Sequence, residues 1–334
     1  MKVAVLGCGA IGGLFLGYLW GENIDVIGIV KDYQKEPLLK DGLFIEGVRG
    51  SGNYKVRVDT RLQGKVDLAI FASKIGDLEE MIKENIKHLK EATIISTQNG
   101  VRADYILSKY FPKQKIITGI VMFGATFYRP NKVVHNFKGD LILGNIFGEK
   151  VADLEKVNSF LSSVFDSVIS DKIKGAKYLK LFINLNNCIP AILGLSMQEA
   201  FSGLKFAKIA IELNREAFNI VKASGIELAD LPTFPLARLE RLVSMEVDKA
   251  ADIFSKVMAS LSREPLYGSI LQSIKSGKPS EIDYINGEIV SLAKKNNLKA
   301  PINEKIVELV HRVQDKGSFI SKQDLSLELE SVRK

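Results

Sequence analysis

The sequence predicts a doubly wound, parallel α/β sheet in its first half and an all-helical second half. Three observations carry this. A mostly apolar strand, Lys2-Val3-Ala4-Val5-Leu6, runs directly into Gly7-Cys8-Gly9-Ala10-Ile11-Gly12-Gly13 and then into an apolar, helix-like run from Leu14 to Trp20. Short apolar strands then alternate with helical stretches, the signature of a parallel sheet wound on both faces. After Asp171 only long helical periodicities remain.

Strands are expected at 2–6, 25–30, 67–72, 93–97 and 116–120, with a hairpin-like pair near 132–144. Helices are expected at Asp77–Leu89 and Arg102–Tyr110. In the second half the helical stretches are 174–193, 203–224, 245–260, 280–296 and 301–316, with prolines at 232, 235, 265, 279 and 301 marking loops and helix starts. Ser170-Asp171-Lys172 reads as a turn into a helix, so the expected division is 1–171, 172–318 and a charged extension over 319–334 that forms a short helix or a tail.

Composition narrows the function classes. The chain has 334 residues, 46% of them hydrophobic and 25% charged, which supplies a normal globular core for two domains. No run of about 18 apolar residues is present, so no membrane span is expected. The chain opens on a core strand, so no signal peptide is expected. Two cysteines and three scattered histidines lack metal-ligand spacing; no metal site is expected, and a reducing, cytoplasmic setting fits. The net charge of +7 is spread over lysines interleaved with acids. Solvated helix faces account for most of it, and a nucleic-acid partner is not expected. A few lysines can instead attract an anionic cofactor and substrate.

The glycine segment lies where a dinucleotide site needs it. The first glycine permits the bend, the second lets a diphosphate approach the main chain, and the third lets helix pack on strand. The following helix offers unpaired N–H groups and a partial positive charge. Gly7, Cys8, Gly9, Ala10, Ile11 and Gly12 are therefore the expected cofactor turn of a Rossmann-type domain. The second strand ends Val26-Ile27-Gly28-Ile29-Val30-Lys31-Asp32, where the adenosine ribose should lie. Lys31 at the strand's immediate end favours a 2′-phosphate and hence NADPH. Asp32 keeps NADH open, and Lys31 as a plain surface lysine is the alternative to both.

Three further clusters narrow the fold to a family. Ala72-Ser73-Lys74 and Thr97-Gln98-Asn99-Gly100-Val101 close consecutive strands, at the carboxyl ends that line the ligand crevice of an open α/β sheet. The helical half carries Lys180-Leu181-Phe182-Ile183-Asn184, then Ser269-Ile270-Leu271-Gln272, then Gly277-Lys278-Pro279-Ser280-Glu281-Ile282-Asp283-Tyr284-Ile285-Asn286-Gly287. In this order, after the glycine segment, the set resembles the ketopantoate reductase (2-dehydropantoate 2-reductase) family. The resemblance runs to about Val313 and takes in Phe123-Gly124-Ala125 and Val133-Val134-His135.

The resemblance implies a Rossmann-type domain followed by a helical domain like that of 6-phosphogluconate dehydrogenase. It implies reduction of ketopantoate to D-pantoate with NADPH, in pantothenate and coenzyme A synthesis. Lys180 matches the family's catalytic lysine, and Glu281 a glutamate that orders the lysine or engages a substrate hydroxyl and borders the cofactor. Asn184 and Ser269 match substrate-binding residues, and Asn187 falls in an Asn-Leu-x-Asn variant of the same region. Asn99 and Lys74 match residues near nicotinamide and substrate, and Ala125 a cofactor contact. Lys31 stands where the family usually has an arginine.

The residues also speak for themselves. Hydride delivery to a ketone makes an alkoxide, which needs a positioned proton donor or cation. Lys180 and Asn184, four apart, share one helix face. On spacing alone Lys180 reads as solvent-facing beside Lys174 and Lys177; the resemblance reverses that. Three positions depart from the family pattern: Cys188, Leu266 and Ser273 stand where polar groups are usual. A different 2-oxo acid is therefore a second expectation, and a non-catalytic NADP(H)-binding protein a third. The apolar helical half is compatible with a homodimer. Cys188 reads as a buried filler and His135 as structural.

Overall fold

In the computed structural model, residues 1–261 and 264–332 are described. The chain forms two compact units, Met1–Lys174 and Gly175–Lys334.

The first unit runs β1 (Val3–Leu6), α1 (Ala10–Gly21), β2 (Val26–Ile29), α2 (Asp32–Asp41), β3 (Leu43–Gly47), β4 (Gly52–Tyr54), β5 (Val58–Asp59), β6 (Leu68–Phe71), α3 (Ile75–Leu89), β7 (Thr93–Ser96) and α4 (Arg102–Leu107). It continues with β8 (Ile116–Val121), β9 (Gly124–Arg129), β10 (Lys132–Phe137), β11 (Leu141–Gly144), α5 (Leu154–Leu161) and β12 (Ser167–Ile169). The main sheet has the order β12-β11-β8-β7-β6-β1-β2-β5. Its strands from β5 to β8 are parallel, and β11 joins antiparallel to β8. Fully apolar strands such as Val3–Leu6 and Leu68–Phe71 are buried throughout, as strands covered on both faces must be.

A second, four-stranded sheet has the order β4-β3-β10-β9. It corrects one expectation. The segment 132–144 is not a hairpin: β10 pairs with the preceding β9, and β11 leaves to join the main sheet. The physical reason is visible in the residues. Leu141–Gly144 is buried at every position and suits a sheet interior, whereas Lys132–Phe137 is buried only at alternate positions before its exposed end. His135 on β10 is buried, with Nδ1 2.7 Å from the Tyr18 hydroxyl, and burial holds its pKa below the usual histidine value.

The second unit is helical. Its elements are α6 (Ile173–Leu185, which begins at the end of the first unit), α7 (Cys188–Leu193), α8 (Met197–Ala200), α9 (Leu204–Ala223), α10 (Leu236–Ser244), α11 (Val247–Ala259), α12 (Ser269–Lys275), α13 (Asn286–Lys295), α14 (Pro301–Lys316) and α15 (Lys322–Glu330). The expected helix 174–193 is interrupted at Asn186-Asn187, and 280–296 divides into a 3-10 turn, Ile282–Tyr284, and α13. The segment after Ser318 forms α15. Leu325 and Leu329 of α15 are buried, and Glu328 receives Arg312 at 2.7 Å and Lys305 at 2.8 Å from α14. Those two cations, Arg312 foremost, hold the Glu328 carboxyl down at about 2. Among the described residues no helix is long and apolar enough to cross a membrane, and no cluster of His, Cys, Asp and Glu could hold a metal ion.

Candidate active site

Of the expected site residues of the first unit, Gly7–Gly12, Lys74 and Asn99 follow the carboxyl ends of β1, β6 and β7, while Lys31 follows β2 and Ala125 lies on β9 of the second sheet. Gly7 follows β1 with φ of +93°, a conformation L side chains rarely adopt, and a Cβ there would stand 2.5 Å from the Ser73 main chain. A Cβ at Gly12 would overlap the Gly7 carbonyl oxygen. The first and third glycines are thus required by close approach of main chain to main chain. A Cβ at Gly9 would meet nothing within 4 Å. Gly9 is the N-cap of α1, where no side chain accepts from the helix N–H groups and the first turn carries no acid. An open glycine against uncapped, positive N–H groups is what a diphosphate requires.

Cys8 contributes main chain only. Its thiol is buried against the Val5 carbonyl and pushed up to about 12 by burial, and its own carbonyl accepts from Gln34 Nε2 at 2.9 Å. Ser73 touches the turn, and Gln98 Nε2 donates to the Ser73 carbonyl at 3.2 Å, which brings the loops after β6 and β7 together. Ser73 Oγ and Gln98 Oε1 are buried without a hydrogen-bond partner. Asn99 follows in the same loop, and Lys74 is the exposed N-cap of α3. Ala125 lies on β9 opposite His135, packed with Ile11 against the core.

Lys31 is the N-cap of α2, and its ammonium meets Asp77 of α3 at 2.9 Å. That carboxylate raises the Lys31 pKa. Nothing in the spacing of the sequence signals this partner.

In the second unit, Lys177, Lys180 and Asn184 follow one stripe of α6. Lys180 is half-buried, and its pKa is pushed down to about 7, by burial first and then by Lys177, against the opposing pull of Glu281. Asn184 Nδ2 is buried without a partner. Asn187, at the start of α7, lies over the main chain of Gly268, immediately before Ser269 at the first position of α12. Glu281 is buried just before the 3-10 turn. Ser280 N–H beside it donates to Gln314 Oε1 of α14 at 2.9 Å.

Two of the three positions that depart from the family pattern turn inward. Cys188 Sγ donates to the Leu185 carbonyl at 2.9 Å and is pushed up to about 12 by burial, and Ser273 Oγ donates to the Ser269 carbonyl at 3.0 Å. Leu266 is fixed through its main chain to Gln198 and Met197.

A buried polar ladder, absent from the expectations, holds the segment after Glu281 to the end of α6. Asn286 Nδ2 donates to the Leu185 carbonyl at 3.4 Å and to Asn303 Oδ1 at 3.1 Å. Asn303 Nδ2 and the N–H groups of Ile302 and Asn303 all donate to Glu216 of α9, at 2.8 to 2.9 Å. The asparagine in the quoted segment ending Asn286-Gly287 was the available signal; its partners, 17 and 101 residues away, were not.

A glycine-turn α/β unit followed by a helical unit is an arrangement suited to a dinucleotide-dependent enzyme. Residues 3–148 match the family described as ketopantoate reductase PanE/ApbA, and residues 172–314 match its C-terminal part. The chain belongs to the ketopantoate reductase family. It is 31% identical over 311 residues to a 2-dehydropantoate 2-reductase of Pyrococcus abyssi, covering 91% of this chain and 94% of that one. Its fold is that of a PanE/ApbA family ketopantoate reductase from Ralstonia eutropha JMP134, with a TM-score of 0.80, 24% identity, and coverage of 95% and 99%. A D-mandelate dehydrogenase solved with NADH is similar at a TM-score of 0.79 and 26% identity, with the same coverage.

Proposed function

We propose that this protein reduces the 2-oxo group of ketopantoate to D-pantoate with NADPH, in the cytoplasmic route to pantothenate and coenzyme A. Residues 1–171 serve as the NADP-binding domain, 172–318 as the substrate and catalytic domain, and 319–334 as an extension. The observation that carries this reading is Lys180: a half-buried ammonium with pKa about 7, on one helix face with the unpartnered Asn184 amide.

When bound, the reduced nicotinamide supplies the hydride. The chain supplies the rest. The turn at Gly7–Gly12 holds the diphosphate, with Lys31 toward a 2′-phosphate and Lys74, Asn99 and Ala125 bordering the cofactor. Lys180 gives its Nζ proton to the oxygen of the substrate 2-oxo group as negative charge develops there, the role for which a donor of pKa near the working pH is best suited. Asn184, Asn187 and Ser269 hold the substrate's polar groups. Glu281 favours the charged form of Lys180 and borders cofactor and substrate.

Initial rates with ketopantoate, measured with NADPH and with NADH, test the reading directly. Lys180→Met should lower kcat by about 10²–10⁴ while the protein stays folded. The rate of reduction should fall as pH rises through about 7, where the ammonium is lost, and oxidation of the 2-hydroxy acid should rise over the same interval. No turnover with ketopantoate or any branched 2-oxo acid would sink it. The inward-turned Cys188 and Ser273, with Leu266, favour a second reading in which a more apolar 2-oxo acid is the substrate, in keeping with the D-mandelate dehydrogenase likeness. A higher kcat/KM for such an acid would select it.

A further inference from the structure

Lys177, one helical turn before Lys180, has only 3% of its surface exposed. Lysine is among the side chains least often buried, and two cations at i and i+3 of a helix repel each other. The neighbours on α6, Leu179, Leu181, Phe182 and Leu185, are apolar and buried. Among the charged groups that bear on Lys180 are Lys177 from its own helix and Glu281 from the segment before the 3-10 turn. Glu281 favours the ammonium. Lys177 opposes it.

We propose that Lys177 is a positioning residue that acts through its charge on Lys180, loosening the Lys180 proton so that it is transferred readily near neutral pH. This rests on the reading of Lys180 as proton donor. Glu281 and Lys177 then form an opposed pair: one keeps enough of Lys180 charged to donate, the other keeps the proton from being held too tightly. A cation set beside a reactive lysine, together with desolvation, is a known way to weaken an ammonium.

The test reads Lys180 directly. The full-length protein is treated with a trace of acetic anhydride from about pH 5.5 to about pH 10, across the range in which a perturbed lysine titrates. Acetylation of Lys180 is then followed by peptide mass spectrometry. The midpoint, near 7 in the parent, should rise by about one unit in Lys177→Met. It should stay in place in Lys177→Arg, which keeps the charge, and the upper limb of the kcat profile should move in parallel with little change in KM. If Lys177→Met does not fold, Lys177→Gln is scored in the same way. An unmoved midpoint in a folded, uncharged variant overturns the proposal. So does a raised KM with an unmoved midpoint, which would make Lys177 a substrate contact. The labelling needs no turnover, so failure to reduce any 2-oxo acid would sink the proposed function without altering this readout.

Discussion

In the proposed site the Gly7–Gly12 turn offers main chain, whereas the helix around Lys180 offers side chains. The turn needs atoms to be missing: a Cβ at Gly7 or Gly12 would collide with backbone, and one at Gly9 would stand in the open space at the N-terminus of α1. The Lys180 helix needs atoms to be present, in places set by α9, α13 and α14 through Asn286, Asn303 and Glu216. A site of the first kind fails when something is added, and one of the second kind when something is removed.

The largest effect expected from breaking this contrast is at the glycines. Gly12→Ala should destabilise the protein by about 2–3 kcal/mol, because the atom it meets is a main-chain oxygen that cannot swing aside. Gly9→Ala should leave the melting temperature unchanged and weaken NADPH binding by about tenfold, the loss of one hydrogen bond to a charged group. Thermal unfolding and cofactor titration of the two variants give the comparison. A Gly9→Ala protein that binds NADPH at full strength would show that the diphosphate lies elsewhere.

The same contrast explains what was legible beforehand. Gly7 and Gly12 could be read because their geometry admits one residue type, and the main parallel strands could be read because burial on both faces leaves an unbroken apolar run. Strands β3, β4, β5, β9 and β12 went unread: each has two to six residues, and Glu46, Asn53, Asp59 and the half-exposed Gly124–Arg129 run break any apolar signal. Lys180 was not readable from spacing. On α6 Lys174 is exposed, Lys177 is buried and Lys180 lies between them, yet apolar residues occupy so much of the helix that its phase is hidden. Only the resemblance to a family singled out Lys180. The ladder through Asn286 was not readable at all, since it links residues brought together by helix packing alone.

That ladder gives the next prediction. Asn286→Leu removes the bond to the Leu185 carbonyl and strands Asn303 Oδ1 in the interior. Leaving a buried acceptor unsatisfied costs about 1–3 kcal/mol. Denaturant unfolding should show that loss, and kcat should fall further than the KM for substrate rises, because the segment after Glu281 is no longer tied to α6. Adding Asn303→Leu should cost less than the sum of the two single changes, as coupled partners do. Full additivity would mean that the two asparagines act separately.

The smallest effect is expected where the first unit departs from its own rule and relies on a side-chain pair. Lys31 is held by Asp77 in a half-exposed contact, and exposed ion pairs are worth about 0–1 kcal/mol. A 2′-phosphate must compete with that carboxylate for the ammonium. Asp77→Asn removes the competitor and should raise the ratio of NADPH to NADH kcat/KM by up to about fivefold, the kinetic equivalent of that energy. Lys31→Ala should move the ratio the other way. The Asp77 effect should shrink as salt is added, since the pair is open to solvent. If neither change moves the ratio, Lys31 does not face the cofactor, and Asp32 at the start of α2 becomes the group that meets the ribose. The turn would then recognise its ligand through main chain alone, a sharper form of the contrast with the Lys180 helix.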